Sequence, residues 1–75
     1  MIKPFKTEMR SKARTIRGLT TVLKNDSDYI FVDVEDYDLL GLEESIREAK
    51  DTIQSLMDNV TELEYALYLS KRGES

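Results

Sequence analysis

The spacing of apolar residues in the C-terminal half constrains this chain more than any other feature. Leu39, Leu42, Ile46, Ala49, Ile53, Leu56, Val60, Leu63 and Leu67 follow one another at intervals of 3, 4, 3, 4, 3, 4, 3 and 4. Side chains spaced in this way fall on one stripe of an α-helix, so the pattern predicts an amphipathic helix whose seam suits a second helix. No proline interrupts it. Asp36 or Asp38 can cap its start, Glu43 and Glu44 suit the positive end of the helix dipole, and Lys71, Arg72 and Gly73 make a stop. The expected helix covers residues 38–72.

Chain length gives that seam its meaning. The sequence has 75 residues, room for one small domain, and chains this short bury too little apolar surface to offset chain entropy unless something staples them. There is no cysteine and no histidine, which excludes disulfides and the usual structural zinc sites. Association is the remaining route, and the nine seam residues are the expected interface of a homodimer. Ile46, Ile53 and Val60 in one lane, with Leu42, Leu56 and Leu63 in the other, favour two parallel strands. The flanking positions oppose few charges, which leaves the direction open. Met57, Tyr65, Tyr68 and Leu69 widen the apolar stripe beyond what two helices cover, so a second layer from the N-terminal half is expected over them.

In that N-terminal half, Tyr29-Ile30-Phe31-Val32-Asp33-Val34 has the β-branched and aromatic content of a strand, and Thr15–Lys24 is rich in threonine and β-branched residues. Asn25-Asp26-Ser27-Asp28 between them reads as a loop. The expected fold is therefore α+β: a basic segment over 1–14, a β-hairpin over 15–35, then the long helix. The competing reading is a helix from Thr7 to Leu23, in which Met9, Ala13, Ile16, Thr20 and Leu23 share a face. It would give an all-α helical hairpin dimer.

Chemistry is not expected. Without histidine or cysteine the commonest general base and the best nucleophile are missing, and glycines 18, 41 and 73 form no phosphate-binding loop. We expect no enzyme activity and no cofactor. The run from Asp33 to Asp38, with Glu44 twelfth from Asp33, superficially fits a calcium loop. Tyr37 stands where an oxygen ligand is wanted and Asp38 where the turn needs glycine, so no metal site is expected either. No apolar run approaches the roughly 18 residues of a membrane span, and the segment from Met1 to Lys6 lacks the core of a signal peptide. A cytoplasmic protein is expected, in the host cytoplasm if the source is a bacteriophage.

The net charge of −4 conceals a division: residues 1–25 carry +6 and residues 26–75 carry −10. Each part offers a binding surface. Asp26, Asp28, Asp33, Glu35, Asp36 and Asp38 cluster before the helix, and Glu44, Glu48, Asp51, Asp58 and Glu62 run along one side of it. The expected function is a small acidic, dimeric, non-enzymatic protein that binds and inhibits or regulates a basic partner. Its narrowest form is a DNA mimic that occupies the DNA-binding surface of a nucleoid protein or another DNA-binding protein, as small acidic phage proteins do in host takeover. The alternative is a dimeric nucleic-acid-binding regulator using Arg10, Lys12, Arg14 and Arg17. Arg10, Lys12 and Arg14 share a face on a strand, and Arg10, Arg14 and Arg17 share one on a helix. A third reading is a structural coiled-coil component of an assembly.

Overall fold

A computed structural model describes residues 5–73 of the chain. Two long helices make up almost all of it: α1, Lys6–Glu35, and α2, Leu39–Gly73. They lie antiparallel as a rod-like helical hairpin whose Cα extents are 56 × 15 × 11 Å. Among the described residues there is no strand, so the expected β-hairpin over 15–35 is overturned and the fold is all-α. Residues 1–4 of the basic segment, Lys3 included, lie outside the described residues.

The burial pattern explains why α1 is a helix. Its covered positions are Met9, Lys12, Ile16, Leu19, Leu23, Asp26, Ile30 and Asp33, at alternating intervals of 3 and 4. This is a heptad seam with charged residues at three of its eight places. Tyr29–Val34 is helical because Ile30 and Asp33 are needed on that seam. The β preference of valine and isoleucine amounts to only a few tenths of a kcal/mol per residue, roughly, and tertiary contacts override it. The Asn25–Asp28 stretch is helix interior for the same reason, since Asp26 is pinned to α2.

The matching lane on α2 is Leu42, Ser45, Ala49, Thr52, Leu56, Asn59, Leu63, Ala66 and Ser70, again at intervals of 3 and 4. Of the nine residues expected at a homodimer seam, Leu42, Ala49, Leu56 and Leu63 therefore pack against α1 of the same chain. The other five, Leu39, Ile46, Ile53, Val60 and Leu67, flank that seam and stay 43–57 % exposed. The phase follows from complementarity. α1 brings bulky Met9, Ile16, Leu19, Leu23 and Ile30, so α2 approaches with its small side chains. Asp26 and Asp33 need donors, and the Thr52 and Ser45 hydroxyls donate to their carboxylates.

The turn is built from three residues. The Tyr37 N–H donates to the Val34 carbonyl at 3.1 Å and the Asp38 N–H to the Asp33 carbonyl at 2.9 Å, the pair of bonds that closes a Schellman motif. Tyr37 occupies the left-handed position, φ 52°, where glycine is usual. Asp38 then caps α2: its Oδ1 accepts from the Gly41 N–H at 3.0 Å. Of the two expected caps, Asp38 serves and Asp36 ends α1. Glu43 and Glu44 lie one turn inside α2, past the first-turn positions nearest the dipole's positive end.

Candidate functional site

The seam divides the hairpin surface into two sides of opposite character. On one side, Leu23 of α1 joins Ile53, Leu56, Met57, Val60 and Thr61 of α2 around an open, mostly apolar depression. Heptad phase extends this side along the rod through Ile16, Ile30 and Val34 of α1 and Leu39, Ile46 and Leu67 of α2. No large side chain among the described residues is fully buried, and the only buried apolar ones are Ala49 and Ala66. The single hairpin thus has a seam but no hydrophobic core. Sixteen of its large apolar residues stay 37–79 % exposed, and contiguous apolar surface of this kind marks an interaction site.

The other side is acidic. Glu44, Glu48, Asp51, Asp58 and Glu62 recur at intervals of 4, 3, 7 and 4 with Ser55 filling the gap, and all are exposed. Across from them on α1, Asn25, Asp28, Tyr29 and Val32 line a second depression. Tyr29 is 65 % exposed, and Val22 and Val32 lie beside it on the same lanes of α1. The Lys12–Glu62 ion pair, 2.9 Å, closes this side toward the open end of the hairpin.

The expected acidic residues do not all reach this surface. Asp26 is 8 % exposed and its Oδ2 accepts from the Thr52 hydroxyl at 2.8 Å. Asp33 accepts from the Ser45 hydroxyl, and Asp38 caps α2. These three carboxylates stabilise the hairpin. Asp28, Glu35 and Asp36 stay exposed near the turn, and Glu44 also meets Arg47 at 3.4 Å. What sequence reasoning misses is the apolar part of the acidic face, because a strand would put Tyr29 and Val32 on opposite faces. A seven-residue period through Lys12, Asp26 and Asp33 is the signal that could have found them.

The basic residues also sort by helix geometry. Arg10, Arg14 and Arg17 are exposed on the outer surface of α1, whereas Lys12 faces the seam and pairs with Glu62. The strand-type alignment of Arg10, Lys12 and Arg14 is therefore absent, and the helix-type row remains. Near the C-terminal end of α2, Tyr65 and Tyr68 stack with centroids 6.5 Å apart and the Arg72 guanidinium lies 5.7 Å from the Tyr68 ring. Leu69 is half-buried, while Tyr65 and Tyr68 remain more than half exposed, so α1 covers only part of the expected second-layer surface.

Among the described residues no group of three or more carboxylates is placed to hold a metal ion, and no helix is long and apolar enough to cross a membrane. Protein-family models, curated proteins and solved structures yield no match to the chain.

Proposed function

We propose that this protein is a binding module whose acidic side engages a basic, amphipathic segment of another protein and thereby regulates or blocks that partner. The observation that supports the reading is the juxtaposition of the carboxylate row on α2 with exposed Tyr29, Val32 and Val22 on α1. A purely solvated acidic helix needs no such apolar neighbours. A basic helix needs both, because carboxylates steer and orient it while an aromatic anchor supplies buried area.

The narrower version, a mimic of duplex DNA, fits less well on magnitude. Five carboxylates from Glu44 to Glu62 span 18 residues, about 27 Å at 1.5 Å per residue. Their four intervals average roughly 7 Å, against one phosphate per 3.4 Å along a DNA strand. The row has about half the charge density of one strand. A second reading, nucleic-acid binding, is favoured by one observation, the exposed row of Arg10, Arg14 and Arg17 on α1.

Fluorescence anisotropy with a labelled lysine- and leucine-rich amphipathic peptide and with labelled duplex DNA separates the readings. The proposal expects peptide binding that weakens with salt and is lost in a Glu44→Lys, Glu48→Lys, Asp51→Lys variant. It expects the Arg10→Gln, Arg14→Gln, Arg17→Gln variant to bind the peptide unchanged. DNA binding abolished by the arginine changes, without peptide binding, would establish the second reading instead.

A further inference from the structure

The apolar side of the hairpin is a surface distinct from the acidic one. It is formed by Leu23 and Ile30 of α1 with Ile46, Ile53, Val60 and Leu67 of α2. We infer that its occupant is a second copy of this chain, packed face to face and end to end reversed, so that two hairpins complete one four-helix bundle.

Three observations point to that occupant. The first is size. The apolar lane from Leu39 to Leu67 runs about 42 Å at 1.5 Å rise per residue, along a rod 15 Å wide, an outline of about 630 Å². Standard stable interfaces bury about 600–1,000 Å² per partner. The second is chemistry: the face is aliphatic and the carboxylate row lies on the opposite side, so a copy can dock without bringing the two acidic rows together. Each copy lays its Ile46, Ile53, Val60 and Leu67 over the half-covered aliphatic side chains of the other, which gives the pair the core that one hairpin does not have.

The third observation fixes the direction. Residues 22–56, the turn half of the rod, hold ten carboxylates and three cations, a net −7. The remaining described residues, at the open end, hold seven cations and four carboxylates, a net +3. Packing turn against turn would set −7 beside −7. Reversing one copy sets each −7 half beside a +3 half. Opposed charges within a Debye length, about 8–10 Å, favour the reversed arrangement. Its two-fold axis crosses the rod near Leu56, and Ile53 of one copy lies against Val60 of the other, an isologous contact.

Sedimentation equilibrium and single-cysteine cross-linking test this, helped by the absence of native cysteine. The unaltered protein should have twice the 8.7 kDa chain mass. A short bismaleimide should join Ile53→Cys to itself, because both copies of residue 53 lie near the axis. It should fail to join Leu39→Cys, because reversal separates the two copies of residue 39 by about 50 Å at 1.5 Å rise per residue. A monomeric or larger mass at all concentrations overturns the inference. So does efficient Leu39→Cys cross-linking, which requires turn ends side by side.

Discussion

The Asp26 carboxylate accepts a hydrogen bond from the Thr52 hydroxyl at 2.8 Å in the middle of the interhelical seam, with the two residues only 8 % and 9 % exposed. The hydroxyl also lies 3.0 Å from the Glu48 carbonyl, and its single proton serves one acceptor at a time. A buried acceptor that loses its donor costs more than the hydrogen bond contributes, whereas removal of both partners can be neutral. Thr52→Val should therefore destabilise the protein by about 1–3 kcal/mol. The Asp26→Leu, Thr52→Val double variant should recover most of that loss. Urea unfolding midpoints at constant slope measure both. A double variant less stable than the single one would mean that the pair does more than satisfy itself.

Two glycines should respond in opposite ways to alanine. Gly18 lies inside α1, and a methyl group added there would meet nothing within 4 Å. Gly18→Ala should raise stability by about 1 kcal/mol, the usual helix-interior difference, in a thermal melt. At Gly41 a Cβ would sit 2.5 Å from Asp38 Oδ2 and 3.2 Å from Asp33 Oδ1, so the added methyl displaces the cap. Gly41→Ala should lose about 1 kcal/mol despite alanine's helix preference, and Asp38→Ala should lose about the same. If the cap is the cause, combining the two changes adds little. Additive losses would assign the Gly41 effect elsewhere.

Tyr37 holds φ 52° and is 78 % exposed, so it carries the strain of the left-handed region with little packing to offset it. Tyr37→Gly should raise the thermal midpoint, with a gain of about 1 kcal/mol. A fall would show that the tyrosine ring makes a stabilising contact at the turn.

Lys12 occupies a seam position yet pairs with Glu62, whose side chain is 56 % exposed. Such a pair is worth less than about 1 kcal/mol. Lys12→Met keeps the aliphatic stem on the seam, and its stability should match or exceed that of the native protein. A loss clearly above 1 kcal/mol, roughly, in a thermal melt would give the ion pair a larger role than its exposure allows.

The sequence makes α2 legible because its apolar residues repeat without a charged interruption; the expected span 38–72 and the observed Leu39–Gly73 differ by one residue at each end. It conceals α1 because Lys12, Asp26 and Asp33 stand at seam positions and read as surface. Once those three are counted, the strand-like Tyr29–Val34 segment falls into the same heptad as Met9–Leu23. The partner of α2 is hidden for a related reason. Apolar size alone selects the lane of Ile46, Ile53 and Val60. Within the chain, however, the lane of Ser45, Thr52 and Asn59 faces α1, because small and hydroxyl-bearing residues suit a helix that brings bulk and carboxylates. The carboxylate row from Glu44 to Glu62 is readable as a row. That Tyr29 and Val32 flank it is not, since their positions depend on the helical state of α1.

α2 pairs with α1 of its own chain through the Leu56 lane, which leaves Ile53 and Val60 43 % and 50 % exposed, the lane we infer a second copy covers. Isotope-filtered NOE spectroscopy on an equimolar mixture of labelled and unlabelled protein separates the two contacts. Methyl contacts between Leu23 and Leu56 should appear within one chain, and those between Ile53 and Val60 between chains. Leu23–Leu56 contacts found only between chains, or Ile53 methyls that meet no other chain, would contradict this arrangement.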